Sequence, residues 1–213
     1  MNDADLIRMI SANRVFSVVR AASAEAALRA AEAAIVGGIR LVEVALSTPG
    51  GLRVISDLRR RYGDRICVGA GSVMNYEQVD RSIKSGAQFV STPHTSAALI
   101  EFCRRHRIAV LPGALTPSEV AAAWSLNVPM VTLFPAVSLG GPDYIHELTL
   151  RMPDVRLAVA GGVGPENIVE YFGAGAFAIA VGRHLFTRGD LQNENYAAIA
   201  ERARGMLRLA GVG

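Results

Sequence analysis

The sequence predicts an α/β protein that folds as a single (β/α)8 barrel, a TIM barrel, with an N-terminal helix. Short apolar runs rich in β-branched residues alternate eight times with longer alanine- and arginine-rich helical patterns. The links between them are short, and we find no linker or low-complexity tract in residues 1–213. Eight consecutive right-handed β–α units close most economically as a barrel, so we expect one domain over residues 1–213.

The first half of the chain contains four of these units. Ser23 and Asn75 are suitable N-caps for the first and third helices, and Gly37–Gly38 ends the first helix. Pro49 begins the second helix, and the fourth runs to His106. The predicted strands are Val15–Val19, Arg40–Leu46, Ile66–Ala70 and Phe89–Ser91.

The second half repeats the pattern. Thr116–Pro117 opens a helix with Glu119 as its capping partner, and Gly141–Pro142 opens the next. A last amphipathic helix begins at 193–195 and runs to Leu209; we expect its apolar face to close the barrel base or to contact a neighbouring subunit. The predicted strands are Ile108–Leu111, Pro129–Phe134, Leu157–Ala160 and Phe177–Val181.

Composition argues against several functional classes. The formal charge is only +3 and the arginines are scattered, so no basic stripe indicates nucleic-acid binding. Cys67 and Cys103 have neither metal-ligand nor disulfide spacing, which suits a reducing cytoplasm. The N-terminus lacks a basic start followed by an apolar export signal, and no run of about 18 apolar residues occurs. We expect a cytoplasmic protein that does not enter a membrane.

Two glycine turns near the C-terminus predict a phosphate site. Gly161–Gly162 follows one strand, and Gly182 with Arg183 and His184 follows the next. Phosphate sites in (β/α)8 barrels form after strands seven and eight, where backbone N–H groups approach the anion. We place Pro165 and Glu166 in the first turn of the intervening helix, and Arg183 and His184 at the start of the next element. The alternative is that these glycines only form tight turns.

A single carboxylate interrupts the second strand, LVEVAL. Glu43 must face the barrel mouth or carry an unpaired buried charge. We therefore interpret it as an acid/base group whose pKa is raised by desolvation. A structural ion pair with Arg20 or Arg40 is the alternative.

Several motifs occur in order along nearly the whole chain. They are EVALSTP (Glu43–Pro49), GAGSVMNYEQV (Gly69–Val79), FVSTPH (Phe89–His94), LPGALTPSEV (Leu111–Val120), LFPA (Leu133–Ala136), AVAGGVGPENI (Ala158–Ile168) and AVGRHLF (Ala180–Phe186). Together they resemble the 2-keto-3-deoxy-6-phosphogluconate and 2-keto-3-deoxy-6-phosphogalactonate aldolases. The resemblance implies a (β/α)8 barrel, a homotrimer, no cofactor, and cleavage of a phosphorylated 2-keto-3-deoxy acid to pyruvate and glyceraldehyde 3-phosphate.

The resemblance also implies roles for single residues. Glu43 matches the acid/base glutamate, and Ser72 stands where a threonine contacts the substrate carboxylate. The implied phosphate ligands are Gly161, Gly162, Gly182, Arg183 and His184. The predicted substrate-binding residues are Arg20, Ser47, Ser72, Pro93, His94 and Phe134. For His94, the alternative is a polar residue at the rim without a role in binding.

One position departs from the family pattern. Thr132 occupies the place of the lysine that forms a Schiff base with the keto carbon. The chain has one lysine, Lys84, on a predicted outer helix, and arginine stays protonated at any working pH. Schiff-base cleavage is therefore predicted to be absent or very weak. A second departure is Ser47, where the family has arginine or asparagine. The serine side chain is shorter than either, so it reaches less far toward the sugar-acid end of a ligand.

Three hypotheses follow. In the first, the protein binds a phosphorylated keto acid without lysine-dependent catalysis. In the second, Glu43 moves a proton beside a carbonyl in a lyase or isomerase, with oxyanion stabilisation by Thr132 and Ser72, by His94, or by a divalent metal held by Glu43 and His94. In the third, the protein is an ordinary aldolase with an altered residue at position 132. One carboxylate and one histidine are a sparse ligand set, so we predict no metal site.

Overall fold

The barrel is closed and entirely parallel. The structure, a computed structural model, describes residues 1–212, and in that range eight strands pair in sequential order from β1 to β8, with β8 returning to β1. The predicted (β/α)8 fold is confirmed. The strands are β1 (Val15–Val19), β2 (Leu41–Ala45), β3 (Cys67–Gly71), β4 (Phe89–Thr92), β5 (Ala109–Ala114), β6 (Val131–Leu133), β7 (Leu157–Ala160) and β8 (Ala178–Val181).

Helices surround the barrel, and the predicted N-terminal helix is present. The predicted caps form: Ser23 accepts a hydrogen bond from the N–H of Ala26, and Thr116 closes a capping box with Glu119. Within residues 1–212, no helix combines the length and apolar character needed to span a membrane. The helices are α1 (Asp3–Asn13), α2 (Ala24–Val36), α3 (Gly51–Tyr62), α4 (Tyr76–Lys84), α5 (Ala97–Arg105), α6 (Pro117–Ser125), α7 (Pro142–Arg151), α8 (Ile168–Gly173), α9 (Arg188–Gln192) and α10 (Tyr196–Leu209).

Helix starts beside the two glycine turns differ from the prediction. Residues 165–167 form a turn, and α8 begins only at Ile168. The side chain of Asn167 stabilises this turn, because its amide oxygen accepts from the N–H of Gly164 (2.9 Å) and its amide nitrogen donates to the carbonyl of Gly162 (3.0 Å). Residues 183–185 are likewise a turn, and α9 begins at Arg188.

Several strands differ in length from the prediction, among them β5 and β6. β5 continues through Pro112–Gly113 because it stays in register with β4 and then β6. β6 is shorter than predicted, at Val131–Leu133, since the prolines at 129 and 135 lack the N–H that a strand ladder uses.

The base of the barrel is closed by α1. Leu6 and Ile10 are fully buried and pack with the inward-facing strand residues, among them Phe16, Leu41 and Phe89. The expectation that the last helix closes the base is therefore wrong. That helix, α10, packs on the side of the barrel against α2, where a Cβ at Gly37 would lie only 2.5 Å from Ala203.

We predict that Ile10→Ala lowers the free energy of unfolding by about 2–5 kcal/mol, because it leaves a cavity beneath the strands. Val36→Ala is the matched control, since Val36 is 70% exposed and should change stability by less than about 0.5 kcal/mol. Denaturant titration of both variants tests the role of α1. Equal, small losses would show that α1 does not close the core.

Candidate active site

A cavity of about 430 Å³ opens at the carboxyl ends of the strands. The lower wall is apolar and includes Phe16, Leu111 and Met130, while polar groups stand nearer the opening. Eleven of the thirteen predicted site residues line it. They are Arg20, Glu43, Ser72, Pro93, Thr132, Phe134, Gly161, Gly162, Gly182, Arg183 and His184.

The other two predicted residues lie outside the lining. The Ser47 hydroxyl accepts a hydrogen bond from Nε of Arg20 at 2.9 Å, so Ser47 reaches the cavity only through that arginine. Arg20 also approaches the Ser72 hydroxyl, at 3.4 Å from Nη2. The His94 side chain is exposed, and its backbone carbonyl accepts from the Thr92 hydroxyl at 2.7 Å. The structure therefore does not bring the side chains of His94 and Glu43 together in the cavity, as joint binding of a divalent metal would require.

Glu43 points into the cavity from β2. Its neighbours in the strand, Val42 and Val44, face the outer layer of helices, and Leu41 faces the barrel interior. Among residues 1–212, no arginine, lysine or histidine lies within ion-pairing distance of Glu43, so the ion pair with Arg20 or Arg40 is not formed there.

Burial dominates the ionisation of Glu43. It raises the pKa from 4.5 to about 6, because the charged form loses its hydration. The neighbouring Ser91 hydroxyl and the positive charge of Arg20 lower the pKa, but by less than burial raises it. A carboxyl group with this pKa exchanges protons close to neutral pH, which suits acid/base chemistry.

Thr132 faces the same cavity from β6. Met130, two residues earlier, packs inside the barrel, whereas Val131 and Leu133 pack against the helices. In the sheet, Thr132 pairs with Gly113 on β5 and with Ala158 on β7. The one lysine of the chain is remote from this wall: the Lys84 side chain is 73% exposed on α4 and lies 2.6 Å from Asp80.

The first glycine turn has the backbone shape that only glycine adopts readily. Gly161 and Gly162 have φ values of +85° and +91°. The loop after β6 packs against them, because a Cβ at Gly161 would meet Pro135 at 3.0 Å and one at Gly162 would meet Val137 at 2.6 Å. The Gly161 carbonyl accepts a hydrogen bond from the N–H of Val137 (3.2 Å), which joins the glycine turn to the loop after β6.

The second glycine turn lies beside it, after β8. The carbonyl of Gly182 accepts from the N–H groups of Leu185 and Phe186, each at 2.9 Å. Nδ1 of His184 lies 3.0 Å from the Glu166 carboxylate, which links the two turns. Arg183 lines the cavity and has no carboxylate partner within 4.0 Å among residues 1–212.

Ser91 is not among the predicted site residues, although it belongs to the motif FVSTPH at the end of a predicted strand. It is buried and lines the cavity near Glu43. The alternation along β4 was the available signal, because Phe89 and Ser91 are two residues apart and face the same side. Asn167 was also missed; Asn at the end of a glycine-rich loop is a recognised turn signal.

Comparisons with known proteins agree with this geometry. Residues 6–202 match the family model described as KDPG and KHG aldolase. The chain belongs to the KDPG and KHG aldolase family. Family membership confirms the resemblance drawn from the motifs. Separately, within residues 1–212 no group of three or more His, Cys, Asp or Glu side chains is arranged to hold a metal ion.

Three relatives illustrate the similarity. The 2-dehydro-3-deoxy-6-phosphogalactonate aldolase of Escherichia coli is 31% identical over 82% of this chain and 85% of its own. The 2-dehydro-3-deoxy-phosphogluconate aldolase of Treponema pallidum is 28% identical over 93% and 94%. The crystal structure of Legionella pneumophila KDPG aldolase, with pyruvate captured as a covalent carbinolamine, superposes with a TM-score of 0.86 at 25% identity, over 94% of this chain and 97% of that one.

We predict a pH-dependent effect of Glu43→Gln on stability. Because the folded-state pKa of Glu43 is raised, folding favours its protonated form, and the free energy of unfolding falls as pH rises from 4.5 to about 6. Glutamine avoids this loss. Relative to wild type, the variant should gain up to about 2 kcal/mol between pH 4 and pH 7.5 in denaturant titrations. A difference that is constant with pH would contradict the assigned burial.

Proposed function

We propose that this protein binds a phosphorylated 2-keto-3-deoxy sugar acid at the barrel mouth and lacks effective lysine-dependent cleavage of it. The observation that carries this proposal is Thr132, which faces the cavity directly before the LFPA motif while Lys84 lies on the outer surface. Family membership supports the aldolase fold and substrate class.

The ligand has two anionic ends, and the cavity offers a separate site for each. Arg20 and Ser72 bind the carboxylate, with Ser47 holding the guanidinium. N–H groups of Gly161, Gly162 and Gly182 bind the phosphate, assisted by the charge of Arg183. The keto carbon then lies over the inner wall, near Glu43 and Thr132, with Pro93 and Phe134 beside it.

The missing amine removes the Schiff-base route. A ketone becomes an iminium only by condensing with an amine, with loss of water, and the iminium accepts the electron pair released when the carbon–carbon bond breaks. The Legionella relative was captured with pyruvate as a covalent carbinolamine, the first product of such an addition. A threonine hydroxyl donates a hydrogen bond but cannot form an iminium.

Glu43 supports a second candidate function. With a pKa of about 6, it serves either as base or as acid near neutral pH. Proton transfer beside the bound carbonyl, with hydrogen bonds from Thr132 and Ser72 to the developing oxyanion, gives a lyase or isomerase that needs no lysine. An ordinary aldolase with an altered residue at 132 is the third candidate, and it predicts full recovery when lysine is introduced.

We also propose that the protein is a homotrimer, as the family resemblance implies. The cysteine usage, charge distribution and hydropathy support a cytoplasmic protein that acts on a small molecule, without nucleic-acid or membrane partners.

We predict that Thr132→Lys introduces covalent chemistry. With pyruvate and borohydride, the variant should gain the mass of one reduced adduct and wild type should gain none, because only the variant has an amine on the inner wall. Intact-protein mass spectrometry measures this.

The control is Lys84→Arg in the Thr132→Lys background, which leaves residue 132 as the one lysine of the chain. The adduct should persist. No adduct in a folded Thr132→Lys protein would show that the cavity no longer accepts a keto acid beside position 132. Release of pyruvate from the phosphorylated acid by wild type would instead favour the Glu43 route.

We predict that Gly182→Asp weakens phosphate binding without unfolding the protein. A Cβ at Gly182 makes only ordinary contacts, at 3.6 Å from the Val18 carbonyl, whereas substitution of Gly162 would clash with Val137. The new carboxylate should repel the phosphate and lower affinity for 2-keto-3-deoxy-6-phosphogluconate at least about tenfold, or about 1.4 kcal/mol.

Gly189→Asp is the matched control, because that glycine is exposed on α9 and a Cβ there meets no atom within 4 Å. Calorimetric titration of both variants with the phosphorylated acid and with inorganic phosphate separates the two ends of the ligand. Equal affinity in Gly182→Asp and wild type would remove the glycine turns from the proposal.

A further inference from the structure

Strand β3 leaves two gaps in the inner wall of the barrel. Its inward positions are Cys67, Gly69 and Gly71, so the side chains stop after the first of them. Neighbouring strands fill both gaps: a Cβ at Gly69 would clash with the ring of Phe89 from β4, and a Cβ at Gly71 would clash with Oε1 of Glu43 from β2. The Glu43 carboxylate therefore lies directly over the backbone of Gly71.

The residue on the far side of the Gly71 gap is Ser91. Gly69 pairs with Phe89 in the parallel register, so two residues further along, Gly71 and Ser91 stand at the same level. The N–H of Val73 donates to the Ser91 carbonyl at 3.0 Å, which continues this pairing beyond the strand. Ser91 is only 8% exposed and its side chain lines the cavity.

We propose that Ser91 is a positioning residue, whose hydroxyl donates to the Glu43 carboxylate across the gap at Gly71 and fixes its orientation. Glycine at 71 lets the β2 carboxylate reach a β4 hydroxyl past β3. Nothing else on β3 separates the two side chains, because the inward positions at this level carry no Cβ.

This arrangement divides the hydroxyl groups of the inner wall between two tasks. Ser91 holds the carboxylate, whereas Thr132 on β6 and Ser72 after β3 remain for the carbonyl and carboxylate of a ligand. The inference deepens the proposed function, since it names the group that prepares Glu43 for proton transfer. Its test uses the ligand-free protein, so failure to bind a keto acid would leave it intact.

The groups that face Glu43 act on its pKa in known directions. Burial against the apolar lower wall raises it, while hydrogen bonding from Ser91 and the charge of Arg20 lower it. Removing the Ser91 hydroxyl should therefore make the carboxyl group harder to ionise. Removing a hydroxyl that does not face the cavity should leave its titration unchanged.

The experiment is a carbon-13 NMR titration of the Glu43 carboxyl group in ligand-free protein, with its resonance assigned by its absence in Glu43→Gln. Ser91→Ala should move the midpoint to higher pH by about one pH unit, the equivalent of one hydrogen bond to a charged group. Ser91→Thr keeps the hydroxyl and should restore the wild-type midpoint. Ser17→Ala is the matched control, because Ser17 is a buried strand serine that bonds to the Leu41 carbonyl and lies outside the cavity lining.

A second variant tests the gap itself. Gly71→Ala places a methyl group where Oε1 of Glu43 now lies, so the carboxylate must move away from Ser91. We expect a raised midpoint in Gly71→Ala and a smaller further rise when Ser91→Ala is added than Ser91→Ala gives alone. A wild-type midpoint in folded Ser91→Ala, or fully additive shifts in the double variant, would overturn the proposal.

Discussion

A carboxylate buried without a counter-ion constrains the whole upper half of the barrel. Glu43 lies on a strand whose other residues are apolar, and the closed parallel sheet leaves it no route to solvent except through the cavity. Space for it exists because the neighbouring strand carries glycine at 71. Desolvation raises its pKa to about 6. The missing side chain at Gly71 on β3 therefore makes room for the acid/base group that β2 carries.

The rest of the cavity is arranged around that carboxylate. Arg20 is held by two serines on one side, while the two glycine turns follow β7 and β8, the second of them with Arg183. In the proposed function, a molecule with a carboxylate at one end and a phosphate at the other spans the cavity with its reactive carbon over Glu43. Thr132 gives this wall a hydroxyl in place of an amine, so the proposal separates recognition of the ligand from its cleavage.

The fold could be predicted closely from the sequence, because eight apolar runs with capped helices between them carry their own periodicity. The site followed from the same pattern, since the carboxyl ends of parallel strands must meet at one opening, as Glu43, Ser72 and Gly161 do. What escaped prediction depends on side-chain reach. His94 follows β4, but its side chain lies outside the cavity. The side chain of Asn167 bonds to the Gly162 carbonyl, so α8 begins later than predicted. The contact proposed for Ser91 depends on the gap that Gly71 leaves in β3. Hydrophobic periodicity indicates which way a residue faces, but it does not indicate which group its side chain contacts.

The most direct test of the account is a crystal structure of wild-type protein with 2-keto-3-deoxy-6-phosphogluconate. We predict an intact ligand with its phosphate on the N–H groups of Gly161, Gly162 and Gly182, its carboxylate on Arg20, and its carbonyl carbon unbonded beside Thr132. A phosphate bound elsewhere, or a covalent bond between the ligand and any side chain of the cavity, would contradict it.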